Sequence, residues 1–233
     1  AGELPTTSGI NFDQAKEMFS ALAEKGQDIL HIAFSSALSS SYSAALAAAK
    51  EVGDEYPERK IIVIDSLCCS LGEGLLVHKL TKLRDDGFSA EEAAAWAEKN
   101  KLHICHNFTV DDLFHLHRGG RVSKTTAVLG TLINMKPVLH VDNEGKLTEV
   151  GKVRGRKNAL KALVDNMEKQ IGEYENPEVF ISHGDCLEDA ELVAEMVGER
   201  FGSKIFLINY VGPSIGAHSG PGTVALFFMG EKR

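Results

Sequence analysis

Short apolar runs alternate with stretches of helical spacing along the first hundred residues of this 233-residue chain. Ile29 to Phe34 has the length of a buried strand and ends in hydroxyls, Ser35-Ser36-Ala37-Leu38-Ser39-Ser40-Ser41. An alanine-rich helix begins at about Tyr42. Lys60 to Ser66 repeats the strand pattern and leads into a helix carrying Leu71, Leu75, Leu76, Leu80 and Leu83, which ends near Gly87. Two helix starts carry capping boxes, Asn11 with Gln14 and Ser89 with Glu92. The first box opens a helix with Ala15, Met18, Phe19, Leu22 and Ala23 on one face, stopped by Gly26. The second opens a helix through Trp96. Strict alternation of strand and helix predicts a parallel sheet covered on both faces.

The texture changes from Leu102. Leu102 to Phe108 alternates apolar and polar residues, which predicts a strand with one wet face. Thr109 to Asp112 precedes a short helix with Leu113, Phe114 and Leu116, broken by Arg118-Gly119-Gly120-Arg121. A short apolar helix, Ala127 to Ile133, follows. Pro137 to Val141 and Leu147 to Val153 flank Asp142-Asn143-Glu144-Gly145 and read as a hairpin. Then come a helix through Leu160, Leu163, Val164, Met167 and Ile171, strand Val179 to Ser182, helix Leu187 to Phe201, and strands Ile205 to Val211 and Val224 to Met229. This half mixes antiparallel and parallel pairing. The expectation is two α/β domains, residues 1–100 with a parallel three-layer sheet and 101–233 with a mixed sheet.

A formal net charge of -8 argues against a nucleic-acid surface. No apolar run reaches the length of a membrane span, and no signal peptide opens the chain, so no stable membrane insertion is expected. Cys68, Cys69, Cys105 and Cys186 have no metal-ligand spacing, which suits reduced thiols and a cytoplasmic protein. The chain opens without methionine, so an N-terminal piece is expected to be absent.

Polar clusters fall at strand ends and glycine-rich turns: Thr7-Ser8, Ser35 to Ser41, the basic run Lys152 to Lys157, and Gly212 to Gly222 with His218 inside it. Serines before a helix serve as plain caps, the simpler reading, or help a helix start hold an anion. Positive charge at a helix start is unfavourable unless an acidic group is near, and Arg156 and Lys157 read as a solvated patch. Asp185 reads as a cap with Glu188 at the box position. Cys68-Cys69 reads as packing. The histidines fit neither a zinc set nor a triad, and the glycines fit neither phosphate-loop nor dinucleotide patterns.

Taken in order, Thr7-Ser8, Ser35-Ser36-Ala37-Leu38-Ser39, Asp65-Ser66, Gly119-Gly120-Arg121-Val122-Ser123, Lys136-Pro137-Val138-Leu139, Arg154-Gly155, His183-Gly184-Asp185 and Gly212 to Gly222 resemble the DegV family of bacterial fatty-acid-binding proteins. The resemblance runs from Thr6 to Gly230. It implies a fold shared with a domain of dihydroxyacetone kinase, and one long-chain fatty acid held between two α/β domains. Thr7 and Ser39 would hold the carboxylate with His218 close by. Ser8, Ser36, Gly216 and Gly220 would support them, and Arg121 and Arg154 would face the carboxylate end or a partner. No cofactor or metal is implied. The expected partner is a fatty-acid kinase subunit that makes acyl phosphate from ATP, so the chain would be a carrier and not an enzyme. A lipid-sensing regulator and a small-molecule kinase or thiol hydrolase are the alternatives. Gly9-Ile10-Asn11 stands where the family often has Gln-Pro-Ser, and Ser40-Ser41 where it often has Gly-Thr.

Overall fold

The computed structural model describes residues 5–123 and 134–233. Its contacts divide the chain into two compact units. One comprises Ser8–Cys69 and Glu73–Lys101. The other comprises the segment ending at Thr7, Ser70–Gly72 and Leu102–Arg233.

In the first unit, α1 (Phe12–Ala23) starts at the Asn11–Gln14 capping box, with both reciprocal hydrogen bonds made. Strands β1 (Ile29–Ala33) and β2 (Ile61–Asp65) pair in parallel, joined by α2 (Ser41–Glu55). Ala45, Ala48, Ala49 and Val52 of α2 are buried against Ala15, Phe19 and Ala23 of α1. Small side chains let the two helix backbones approach closely, and Phe19 fills the space they leave beside Ile29. Helix α3 (Leu71–Asp85) follows β2, and α4 (Ala90–Asn100) starts at the Ser89–Glu92 capping box and contacts both strands.

The second unit is a six-stranded mixed sheet. Its strands are β3 (Ile104–Thr109), β4 (Met135–Val141), β5 (Leu147–Arg154), β6 (Glu178–His183), β7 (Lys204–Tyr210) and β8 (Val224–Met229). They lie in the order β5-β4-β3-β8-β6-β7, with only β6–β7 parallel. Its helices are α5 (Leu113–Arg118), α6 (Arg156–Gln170), α7 (Leu187–Phe201) and α8 (Pro213–Ser219). Leu160, Leu163, Val164 and Met167 of α6 and Val193 and Val197 of α7 are fully buried against Cys105, Ile181, Leu226 and Phe228. Each such side chain contributes about 1.5–3 kcal/mol of transfer free energy. The Asp142 carboxylate closes the β4–β5 hairpin, accepting from the Glu144 and Lys146 amides at 2.9 and 3.0 Å, with Gly145 in the left-handed region.

Four expectations change. β3 has no wet face: His106 and Asn107 are 1% and 0% exposed. β3 is paired along both edges, by β4 and β8, and all six of its residues are buried, so neither face is open to water. Inside, His106 Nδ1 lies on the Ile104 carbonyl at 3.0 Å and Asn107 Nδ2 donates to Gln170 at 2.8 Å, while Asn107 Oδ1 is buried without a hydrogen-bond partner. Gly212 to Gly222 is not all loop, because Pro213 starts the helix α8 at its first position, where a missing N–H costs nothing. Asp185 does not cap α7: it adopts a left-handed conformation, and Cys186 occupies the cap position without a side-chain cap bond. Arg156 is not a solvated charge, since it bonds Asp189 at 2.8 Å and lies 3.6 Å from Asp111. Lys157 is exposed. The helix expected over Ala127 to Ile133 lies outside the described residues. Among the described residues, no helix is long and apolar enough to cross a membrane.

Asn176 locks the end of β8. Its Nδ2 donates to the Met229 carbonyl at 2.8 Å and its Oδ1 accepts from the Met229 amide at 2.6 Å. Asn176→Ala strands two buried backbone groups, and urea unfolding should show a loss of about 2–4 kcal/mol. A midpoint within error of wild type would contradict this assignment.

Candidate functional site

The serine loop of the first unit follows from the need to satisfy backbone groups where two parallel strands end. One carboxylate oxygen of Asp65 accepts from the Ser36 and Leu67 amides, each at 3.1 Å, and so ties the loop after β1 to the loop after β2. The Ser35 amide donates to the Cys68 carbonyl at 3.0 Å, and the Ser39 amide turns back to the Ser35 carbonyl at 3.1 Å. The serines do not cap α2 in the ordinary way. Ser40 sits at the cap position but makes no side-chain cap bond. Ser39 Oγ instead accepts from the Ser41 amide at 3.2 Å and shares a 2.9 Å hydrogen bond with Ser41 Oγ. Ser39 is half-buried, and Ser36 is exposed. Gly9 lies directly on this cluster: a Cβ there would stand 3.0, 3.2 and 3.3 Å from the hydroxyls of Ser41, Ser40 and Ser39. Ser8, beside it, is exposed.

The second unit gathers Thr7, His218, Gly119 and Arg121. His218 lies near the end of α8, and its Nε2 is 2.7 Å from Thr7 Oγ1. The other edge of the ring rests on Gly119, where a Cβ would be 2.1 Å from Nδ1. Arg121 donates to the Gly119 carbonyl. Burial first, and then the Arg121 charge, hold the His218 pKa below its ordinary value of 6.5, so the ring is neutral at pH 7. A neutral imidazole has one donor and one acceptor nitrogen, and so gives its neighbouring hydroxyl a defined direction.

The other glycines have separate roles. Gly220, at φ +75°, packs on the His115 ring of α5, where a Cβ would stand 2.8 Å from the nearest carbon. Gly222, at φ +76°, packs on Asp111 in the same way. A Cβ at Gly216 would make only ordinary contact, 3.6 Å from Val211. Arg154 is exposed at the end of β5, and its side chain makes no hydrogen bond or ion pair among the described residues. His183 is buried, accepts from the Cys186 amide at 3.3 Å and packs on Tyr210 with ring centroids 4.5 Å apart and the rings tilted by 44°. Among the described residues, no group of three or more His, Cys, Asp or Glu side chains is placed to hold a metal ion.

Sequence reasoning singled out Thr7, Ser39 and His218 but missed the roles of Gly9, Asp65 and Gly119. The glycines are legible only as small residues until their neighbours are known. Asp65 had a local signal, an acidic side chain at the exact end of a buried strand.

Each unit thus carries neutral polar groups on its loops, the first through the Ser39 and Ser41 hydroxyls and the second through the Thr7 hydroxyl beside the His218 imidazole. The chain belongs to the DegV family, a family of uncharacterised proteins whose sequence profile matches residues 1–231. The DegV domain-containing protein CPE0026 of Clostridium perfringens is 44% identical over 232 residues, covering 100% of this chain and 80% of that protein. Among solved structures, a fatty-acid-binding DegV family protein from Thermus thermophilus is 28% identical, with a TM-score of 0.87 over 97% of this chain and 79% of that one. The fatty-acid-binding DegV family protein SAG1342 of Streptococcus agalactiae is 26% identical, with a TM-score of 0.84 over 100% and 81%.

Gly119→Ala drives a methyl group into the His218 ring. The expected result is a loss of about 1–3 kcal/mol in urea unfolding, together with a displaced His218 ring resonance in nitrogen-15 spectra. Unchanged stability and an unchanged resonance would contradict the contact.

Proposed function

We propose that this protein holds one long-chain fatty acid between its two α/β domains, with the carboxylate received by Thr7, Ser39 and His218. The 2.7 Å contact between Thr7 and His218 carries the reading. With the proton on Nε2, His218 donates to Thr7 Oγ1 and leaves the threonine hydrogen for a ligand oxygen. Ser39 is arranged alike: its Oγ accepts from the Ser41 amide, and with Ser41 Oγ as donor across their 2.9 Å hydrogen bond its own hydrogen is left for a ligand. Both hydroxyls act as acceptors toward the protein and donors toward an anion, which suits a carboxylate. Support from relatives comes from the Thermus thermophilus and Streptococcus agalactiae proteins, both described as binding fatty acid.

The hydroxyls orient the ligand, and the tail supplies the affinity. Burying about fourteen methylenes contributes on the order of 11 kcal/mol before the costs of ordering. Neutral donors also leave the carboxylate unprotonated, which is the form a phosphoryl acceptor requires. The finer reading is that the protein presents this carboxylate to a partner fatty-acid kinase subunit for conversion to acyl phosphate. The family resemblance supports it, as does the exposed Arg154, whose guanidinium is unengaged among the described residues.

Mass spectrometry of the freshly purified protein, native and then denatured, tests the first reading. It should release one long-chain fatty acid per chain, and a Thr7→Ala, Ser39→Ala double variant should retain little. A protein that is empty and refuses added palmitate would overturn it. For the second reading, Arg154→Ala should keep its lipid while acyl-phosphate production by a kinase subunit falls at least about tenfold, the size of a lost charged contact. Undiminished production would exclude that role.

A further inference from the structure

The turn that closes α8 hangs on two arms, and both meet at one guanidinium. Gly220 to Thr223 carries the chain from the last turn of α8 into β8. Thr223 Oγ1 reaches back and shares its hydrogen between the Ser219 and Gly220 carbonyls, at 3.2 and 2.8 Å, at the end of the helix that carries His218. The first arm starts at the Thr223 carbonyl, which accepts from the Cys186 thiol at 3.3 Å and from the Gly184 amide at 2.8 Å. Burial holds the Cys186 thiol above its ordinary pKa, against the pull of the Arg156 charge, so the thiol keeps the proton it donates. The second arm is Asp111, on whose carboxylate Gly222 lies so closely that a Cβ would stand 2.3 Å from Oδ2.

Arg156, the first residue of α6, touches both arms. Its Nε donates to Asp189 Oδ2 at 2.8 Å and Nη2 lies at the same distance from that oxygen, which holds the guanidinium across the start of α7. Nη2 also donates to the Cys186 sulfur at 3.7 Å. Nη1 faces the Asp111 carboxylate at 3.6 Å, an ionic contact longer than a hydrogen bond. Lys136 completes the hold on Asp111 at 2.8 Å. Positive charge in the first turn of a helix is unfavourable by itself, and here two carboxylates offset it. A lysine at this position could meet one of the three groups, whereas the planar fork of arginine meets them together.

We propose that Arg156 is a positioning residue for His218: by holding Asp111, Asp189 and Cys186 together it fixes the turn after α8, and with it the end of the helix that aims the imidazole at Thr7. The ring has little freedom to absorb a shift of that helix, with Thr7 Oγ1 2.7 Å from one nitrogen and the Gly119 backbone against its other edge. Arg156 thereby differs from Arg154, two positions earlier, whose side chain is exposed at the end of β5. The effect on a ligand rests on the fatty-acid reading, while the hub is a property of the chain alone.

The test compares Arg156→Met and Arg156→Lys with a control, Arg200→Met. Arg200 bonds Asp165 at 2.7 Å, a half-buried ion pair between the same two helices but at the far end of α7 from Cys186. The ring resonances of His218 are recorded by nitrogen-15 NMR in ligand-free protein. The reaction of Cys186 with N-ethylmaleimide is followed by peptide mass spectrometry, and palmitate affinity is measured separately. In Arg156→Met the ring resonances should move, Cys186 should react several times faster, and palmitate should bind about fivefold more weakly. Arg156→Lys should fall between Met and wild type in all three, and Arg200→Met should match wild type. Wild-type ring resonances in a folded Arg156→Met would overturn the proposal. Equal changes in Arg200→Met would overturn it too, since they would mark a general loss of stability. If Arg156→Met does not fold, Asp189→Asn, which keeps the partner's shape and removes its charge, is held to the same criteria. A wild-type protein that takes no palmitate would defeat the fatty-acid reading, while the ring resonances and thiol rate of ligand-free protein still decide the hub.

Discussion

The imidazole of His218 is fixed from both sides, and the arrangement of the second unit's polar end depends on that grip. Thr7 holds one nitrogen and the Gly119 backbone presses on the other edge. Histidine is useful here because it is kept neutral. A protonated ring would have two donors and would attract an anion by charge alone, whereas the neutral ring assigns one donor to one acceptor. Burial and the Arg121 charge act in the same direction to maintain that state. The glycines around it are spacing devices. Gly119, Gly220 and Gly222 each meet a side chain of the unit at a distance no larger residue could share.

The first unit solves a related problem with backbone. Two parallel strands end side by side, and the Asp65 carboxylate joins the loops that leave them. That tie holds the following serines, and Gly9 allows a chain segment to lie flat upon their hydroxyls. The serine oxygens are spent on one another and on the Ser41 amide instead of on the ordinary helix cap. A cap serine turned inward to its own helix has little left for a ligand. In the proposed reading Ser41 is the donor between the two hydroxyls, which leaves the Ser39 hydrogen for a ligand.

Much of the architecture was legible because it is local. Capping boxes at Asn11 and Ser89, the Asp142 hairpin, and strand and helix periods depend on residues within a few positions of each other, and the structure places those elements where the pattern puts them. The failures are non-local. Alternation along β3 cannot reveal that the strand is covered on both faces, so His106 and Asn107 read as wet. Arg156 read as solvated because its acidic partners come from distant segments, Asp111 and Asp189. Abundant glycine hid α8, although Pro213 was a usable signal for a helix start. The Thr7–His218 contact spans 211 positions, and no spacing rule reaches so far. Chain chemistry marked the Thr7-Ser8 cluster and His218 inside its glycine-rich stretch as separate candidates, and only the family resemblance joined them at one carboxylate.

The proposed site has the Thr7 and Ser39 hydroxyls receiving a carboxylate. Palmitate labelled with carbon-13 at the carboxyl, bound to delipidated protein, reports on this directly. The expected result is a single bound resonance, from a carboxylate that stays ionised well below the pH at which free palmitate protonates, and it should move in both Thr7→Val and Ser39→Ala. A bound carboxyl resonance with the same shift and titration in wild type and both variants would place the head group elsewhere and contradict it.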